Sequence, residues 1–172
     1  MYSYPDHPSP EGQADPSRDS ATPESCVLAL YSLISGAADV PRNWDRFRAL
    51  CRPDARFLLA TVGPDGAPLT LVFDVDRFAA DGAAEFAKRG LWERALVQRV
   101  ERFGRIAHVF SAYETRVDHP DATVVARGVN SVQLVNDVVH GWQIAMLVWD
   151  RAADSQPLPA DLGGALALGA DA

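Results

Sequence analysis

Apolar residues recur at helical spacing near the start of the chain and alternate with polar residues along much of the remainder. Val27, Leu30, Tyr31 and Ile34 stand at positions i, i+3, i+4 and i+7, which predicts one apolar face of a helix. Thr22 precedes a proline and supplies a typical N-cap hydroxyl. The pattern therefore predicts a first helix beginning just after Thr22.

Two more helices and six strands are predicted from the remaining pattern. The second helix begins near Asn43 and turns Trp44, Phe47, Leu50 and Cys51 inward, and the third covers residues 74–89. Strands are predicted over residues 55–62 and 69–73, around a Gly-Pro-Asp-Gly turn. Longer strands are predicted over residues 92–102, 105–117, 123–136 and 142–150. This order predicts an α+β domain with an antiparallel sheet.

Both ends of the chain differ in composition from its centre. Residues 1–21 are rich in proline and polar residues, which predicts a disordered tail. Residues 152–172 are rich in Ala, Gly, Pro and Asp, which predicts a flexible C-terminal tail. The folded domain is therefore expected to comprise residues 22–151.

The composition limits which classes of partner and which cellular compartment are expected. The formal charge of −7 over 172 residues disfavours nucleic-acid binding, which needs a basic patch. No run approaches the roughly 20 apolar residues of a membrane span, and the first residues lack the pattern of a signal peptide, so a cytoplasmic protein is expected. The two cysteines, Cys26 and Cys51, form no metal motif and are expected to be buried free thiols. No metal or cofactor is expected.

Three segments resemble a known family of folds. They are residues 29–36, residues 101–111 and the stretch Arg-Gly-Val-Asn-Ser-Val-Gln-Leu-Val-Asn at 127–136 with Trp142. These segments are similar to the NTF2-like superfamily, and within it to a bacterial SnoaL-like group often described as dehydratases. The resemblance implies a cystatin-like cone, in which three N-terminal helices pack on a strongly curved antiparallel sheet. It implies no single reaction, because the superfamily includes isomerases, dehydratases, cyclases and binding modules.

Strand alternation predicts which residues line the interior of such a cone. If Val117 pairs with Val124, one face collects Ser111, Tyr113, Asn130 and Trp149 among apolar residues. With Tyr31 and Trp44 from the helices, these residues form the predicted ligand pocket. The opposite face collects His108, Glu114, Arg127, Ile144 and Met146, and the resemblance implies a homodimer through this outer face. A one-residue slip in register would exchange the two faces.

His108 and Tyr31 are the candidate catalytic residues. Histidine titrates in the range useful for proton transfer, although the alternation turns His108 away from the pocket. In ketosteroid-isomerase-like relatives, a tyrosine near position 31 donates a hydrogen bond to an oxyanion. The first strand lacks the carboxylate base of those isomerases, and Glu114 is an alternative base.

Three functions remain open on this basis. The first is an apolar pocket that binds a small organic metabolite, without need of catalysis. The second is a SnoaL-like lyase, dehydratase, cyclase or isomerase that transfers protons by general acid–base chemistry. The third is a non-catalytic module for protein assembly. A carboxylate or histidine inside the cavity would favour the second function over the first.

Overall fold

The computed structural model describes residues 16–164, which form a six-stranded sheet and four α-helices, three of them before the first strand. The helices are α1 (Pro16–Asp19), α2 (Pro23–Ile34), α3 (Trp44–Ala49) and α4 (Val75–Phe86). The strands are β1 (Cys51–Val62), β2 (Pro68–Asp74), β3 (Leu91–Phe103), β4 (Ile106–Val117), β5 (Ala126–Asp137) and β6 (Gly141–Arg151). The predicted α+β class is confirmed.

The first and last long helices begin as the sequence predicts. Thr22 caps α2 by accepting a hydrogen bond from the Ser25 backbone N–H at 3.0 Å, and Ser25 Oγ accepts one from the Thr22 N–H in return. Asp74 caps α4 by accepting from the Arg77 N–H at 2.8 Å. The predicted second helix ends earlier than expected, because Cys51 belongs to β1.

The sheet order is β2-β1-β6-β5-β4-β3. All neighbouring strands are antiparallel except β1 and β6, which run parallel, so the wholly antiparallel sheet expected from the sequence is wrong in this one pairing. The β4–β5 register is the expected one, with Ser111 opposite Asn130. The β3–β4 turn lies at residues 104–105, one residue later than predicted.

Besides an irregular stretch of β1 between Cys51 and Arg56, two irregularities interrupt the regular alternation of the sheet. One lies in β3 between Ala95 and Val97, and the other lies in β6 between Ile144 and Met146. Each places an extra residue on one strand, so side chains beyond it change face relative to a regular strand. Ile144 is consequently buried in the core, whereas the sequence predicted it on the outer face.

The helices cover the concave face of the curved sheet, and the main core lies between these two layers. Its largest fully buried side chains include Phe47, Phe57, Ile144 and Trp142. The two cysteines also lie in this core as free thiols, as predicted. Burial raises the pKa of Cys26 to about 12, so its thiol stays protonated and unreactive at neutral pH.

Segments that the sequence assigned to the tails contact the domain. Asp19 of α1 accepts two hydrogen bonds from the Arg46 guanidinium, at 2.6 and 2.7 Å. Beyond β6, Leu158 and Leu162 are buried against Ala112 on the convex face of the sheet. Residues 16–21 and 152–164 therefore pack on the domain, which differs from the expectation for the tails, while residues 1–15 and 165–172 lie outside the described part. Within residues 16–164, no helix is long and apolar enough to cross a membrane.

Candidate functional site

A cavity of about 160 Å³ lies between α2, α4 and the concave face of the sheet. Its wall is mainly apolar and aromatic, formed by side chains that include Ile34, Phe78, Phe86, Leu91, Leu147 and Trp149. Polar groups enter it at four points, which are Glu93, Tyr113, Asn130 and Arg151. An apolar wall with a few converging polar groups is the usual make-up of a small-molecule site.

A chain of two hydrogen bonds holds the polar groups at the α2 side of the cavity. The Tyr31 hydroxyl donates to Ser111 Oγ at 2.9 Å, and Asn130 Nδ2 donates to the Tyr31 oxygen at 2.9 Å. All three residues are buried. Burial raises the pKa of Tyr31, although the bonds to Ser111 and Asn130 act in the opposite direction, so the phenol remains a neutral donor.

Glu93 brings a carboxyl group into the cavity from β3. The residue is half-buried by surface area, and its Oε1 accepts a hydrogen bond from Thr115 Oγ1 at 3.1 Å. Burial raises the pKa of this carboxyl to about 7, while the Thr115 bond and the positive charge of Arg151 act to lower it. Both protonation states of Glu93 are therefore populated near neutral pH, as general acid–base catalysis requires.

Tyr113 lies beside Glu93, one strand further into the sheet. Burial raises the pKa of its hydroxyl, and the nearby charge of Glu93 acts in the same direction. The hydroxyl is therefore protonated at neutral pH and can donate a hydrogen bond. Tyr113 and Tyr31 pack with ring centroids 6.3 Å apart.

Solved structures with the same architecture were found at low sequence identity. A protein of unknown function with a cystatin-like fold from Nostoc punctiforme is 9% identical, with a TM-score of 0.56 over 78% of this chain and 96% of that chain. An NTF2-like superfamily protein from Salmonella enterica is 16% identical, with a TM-score of 0.55 over 77% and 89%. An NTF2-like protein from Cytophaga hutchinsonii is 11% identical, with a TM-score of 0.52 over 76% and 98%.

The chain has the NTF2-like fold. No protein-family model matches the chain, and none of the curated proteins does. The shared architecture assigns the cavity to the interior of the NTF2-like cone, the space between the helices and the concave sheet face. At these identities the likeness extends to the fold alone, so the chemistry of the cone has to be argued from its own residues.

Five residues predicted for the pocket lie together at the cone interior. Tyr113, Asn130 and Trp149 line the cavity, and Tyr31 and Ser111 are hydrogen-bonded directly behind Asn130. This grouping follows from the expected β4–β5 register, because Ser111 and Asn130 face each other on the concave side.

Trp44 does not line the NTF2-like cone, in contrast to its prediction as a pocket residue. Its ring stacks on Phe86 at a centroid distance of 6.2 Å and packs edge-on against Phe47 at 5.4 Å. A Cβ atom at Gly82 would lie 2.7 Å from the Trp44 ring, so this glycine gives the indole room between α3 and α4. Trp44 is turned inward, as predicted, but against the helices.

His108 and Glu114 lie on the convex face, outside the cone. His108 Nε2 is 2.9 Å from Ser131 Oγ, and the imidazole has no access to the cavity. Burial acts to raise the pKa of Glu114, but hydrogen bonds from Arg116 and Arg94 lower it below its ordinary value. Neither of these two residues is placed to act on a ligand in the cone.

Glu93 is a candidate functional residue that the sequence reasoning missed. Alternation counted back from Val100 along a regular strand places Glu93 on the outer face. The irregularity between Ala95 and Val97 reverses this, and Glu93 pairs with Thr115 on the concave side. A bulge leaves little trace in a sequence, but the consecutive apolar run Ala95, Leu96, Val97 was a signal that regular alternation fails there.

The described residues contain no cluster of three or more His, Cys, Asp or Glu side chains placed to hold a metal ion. The polar groups of the cone are instead one carboxyl, two phenols, one hydroxyl, one amide and one guanidinium. Such a set can bind an organic molecule and transfer a proton to or from it.

The Tyr31 hydroxyl is expected to contribute measurably to stability. Replacing Tyr31 with Phe leaves Ser111 and Asn130 buried with one partner fewer each, which should cost about 1–3 kcal/mol in the free energy of unfolding. Urea denaturation measures this. Replacing Ser111 with Ala and Asn130 with Leu in the same chain should recover part of the loss, because no polar group is then stranded. A Tyr31→Phe variant as stable as the wild type contradicts the hydrogen-bond chain.

Proposed function

We propose that the NTF2-like cone binds a small organic molecule and that Glu93 transfers a proton on it. The observation that carries the proposal is the Glu93 carboxyl in a mainly apolar cavity, with a pKa raised by burial to about 7. Buried carboxyls whose pKa lies near neutrality are typical of catalytic acids and bases.

The neighbours of Glu93 suit proton abstraction next to a carbonyl group. When ionised, Glu93 removes a proton from carbon, and the electron pair of the broken C–H bond moves onto the carbonyl oxygen of the ligand. Tyr113 donates a hydrogen bond to that oxygen, and Asn130 lies in the same wall. Tyr31 holds Asn130 in position through its own hydroxyl. Fixed donors aimed at a developing oxyanion are a strong source of catalysis.

Two outcomes of this step correspond to the reactions expected from the resemblance. If protonated Glu93 returns the proton to another carbon, the reaction is an isomerisation. If the enolate expels a leaving group from the next carbon, the reaction is a lyase or dehydratase reaction, and Glu93 is left protonated for release of its proton to water. A single base serves both, so Glu93 supports isomerisation and elimination alike.

Binding without catalysis is the second candidate function. It is supported by the hydrogen-bond chain of Tyr31, Ser111 and Asn130, which occupies these groups with one another. Fewer polar groups then remain to hold a reacting ligand. In this case the apolar wall alone would retain a small metabolite.

A homodimer through the convex sheet face remains a proposal, as does an assembly role. It is supported by apolar side chains that stay exposed there, such as Met146 and Val72. Leu158 and Leu162 cover another part of the same face, near Ala112. A dimer through this face would therefore use mainly the side of the sheet formed by β1, β2 and β6.

Proton exchange tests the catalytic proposal. The wild-type protein is expected to accelerate the loss of the α-proton signal of cyclohexanone in D2O, followed by nuclear magnetic resonance. Glu93→Gln should lower this rate by about 10²–10⁴-fold, because the amide cannot accept the proton. The matched control is Glu101→Gln, an exposed residue of the same strand, and it should retain the wild-type rate.

The pH dependence of the exchange rate follows from the ionisation of Glu93. The exchange rate should rise with pH and level off above about pH 7, because only ionised Glu93 removes a proton. Equal rates for Glu93→Gln and the wild type would contradict the role of Glu93. Binding of cyclohexanone without any acceleration would instead support the second candidate.

A further inference from the structure

Arg151 places a positive charge at the rim of the cone. It is the last residue of β6, its side chain is exposed, and it lines the same cavity as Glu93. Among the described residues that line this cavity, Arg151 is the single cation and Glu93 the single acid. The proton-transfer step proposed above leaves Arg151 without a role.

The sheet register directs Tyr113 towards Arg151. Tyr113 pairs with Gly128 on the neighbouring strand, and Gly128 pairs with Arg151 on the next. Because Gly128 has no side chain, the Tyr113 phenol lies over it, and a Cβ atom at Gly128 would lie only 2.6 Å from the Tyr113 oxygen. The phenol hydroxyl and the guanidinium are thus neighbours along one row of the concave face.

The guanidinium of Arg151 has different partners from those of most other arginines in the protein. Arg46, Arg89 and Arg94 each have a carboxylate oxygen within 2.8 Å. Within residues 16–164, no carboxylate lies within 4.0 Å of Arg151 to form an ion pair. Its side chain donates a hydrogen bond to the Tyr113 hydroxyl, and its charge acts on Glu93 from a greater distance. A guanidinium has five N–H donors, so donors beyond the one bonded to Tyr113 are available to a ligand.

We propose that the cone selects small carboxylic acids, with the ligand carboxylate held by Arg151 at the rim. The apolar body of the ligand then packs against Trp149 and Phe86, deeper in the cavity. The planar guanidinium matches a carboxylate with two parallel hydrogen bonds. This inference rests on the cone being the ligand site, as proposed above, and adds the chemical class of the ligand.

The size of the cavity limits the ligand further. Its volume of about 160 Å³ is well below the roughly 300 Å³ at which pockets for drug-sized ligands begin. An acid with a single ring or a short branched chain therefore fits better than a polycyclic one. Such a ligand extends from Arg151 at the rim towards the inner wall and passes Glu93.

A bound carboxylate and Glu93 influence each other through their charges. An anionic ligand beside Glu93 favours the protonated form of this carboxyl, so binding takes up a proton. Glu93 faces Thr115 and Tyr113 on β4, Tyr31 on α2 and Arg151 on β6. Of these groups only Arg151 is charged at neutral pH and offsets the repulsion. Acid binding should therefore weaken as the pH rises from 6 to 8.

Benzoate and benzamide form a matched pair of probes, because they differ mainly in charge. In isothermal titration calorimetry at pH 6, the wild-type protein is expected to bind benzoate at least about tenfold more tightly than benzamide. Arg151→Gln should reduce this ratio to about one, and Arg151→Lys should retain part of it. Arg105→Gln, a change at an exposed arginine bonded to the Asn136 carbonyl, should leave the ratio unchanged.

The two proposals fail in distinguishable ways. Glu93→Gln should retain the preference for benzoate and remove its dependence on pH between 6 and 8. If the wild type binds both probes equally or binds neither, the carboxylate selectivity is overturned, whatever the proton-exchange result. If the preference persists but Glu93→Gln exchanges protons at the wild-type rate, the catalytic role fails and the carboxylate site stands. An unchanged ratio in Arg151→Gln overturns the role of Arg151.

Discussion

Replacing Glu93 with Gln is expected to raise the free energy of unfolding, relative to the wild type, by about 2–3 kcal/mol more at pH 8 than at pH 5. Burial raises the pKa of Glu93 from its ordinary value of 4.5 to about 7. Between these values the folded protein keeps a proton that the unfolded chain has released, so wild-type stability falls as the pH rises through this window. A difference of this size in pKa corresponds to about 3 kcal/mol.

Urea denaturation of both proteins at pH 5 and pH 8 measures this effect. Glutamine stays neutral and can still accept the hydrogen bond from Thr115, so its own stability should not follow the same pH dependence. The matched control is Glu101→Gln, whose effect should stay within about 0.5 kcal/mol at either pH because the side chain is exposed. If the two variants respond alike to pH, the pKa of Glu93 is not raised by folding, and the proposed base loses its support.

Adding a side chain at Gly128 is expected to destabilise the protein strongly. A Cβ atom there would overlap the Asp150 carbonyl oxygen and lie 2.8 Å from the ring carbon of Tyr113 that carries the hydroxyl. Gly128→Ala should cost about 1–3 kcal/mol in urea denaturation, and Gly128→Val should cost more, because the strands must separate to admit it. The exposed neighbour Gln133 on the same strand provides the control, and Gln133→Ala should stay within about 0.5 kcal/mol.

A second change separates the two sources of this clash. Tyr113→Ser removes the phenol ring but leaves the Asp150 carbonyl in place, so combining it with Gly128→Ala should give less destabilisation than the sum of the single changes. Strict additivity would mean that Gly128 does not make room for Tyr113. In that case, of these two observations, only the strand register would support the proximity of Tyr113 and Arg151.

Much of the fold was predictable because its signals are local. Thr22 and Asp74 cap their helices through hydrogen bonds spanning three residues, which a short stretch of sequence already encodes. The pairing of Ser111 with Asn130 was predictable because it follows directly from the expected pairing of Val117 with Val124. The pocket residues on β4 and β5 followed from this register.

The remaining features depend on contacts between distant parts of the chain. The parallel pairing of β1 with β6 joins segments far apart in sequence, and no local pattern specifies it. Leu158 and Leu162 lie in a stretch without helical or strand periodicity, so their burial against Ala112 could not be inferred from pattern. Trp44 was correctly predicted to turn inward, but alternation and spacing do not say which inner surface a helix meets.

The irregularity in β3 has a consequence for comparing this protein with its relatives. A relative whose third strand is regular differs from this chain by one residue near Leu96. An alignment drawn without a gap at that point matches Glu93 to a residue on the opposite side of the strand. Transfer of catalytic roles by alignment would then overlook the carboxyl in the cone, or assign its role to an unrelated surface position. Superposition of the strands in space, residue by residue, avoids this error.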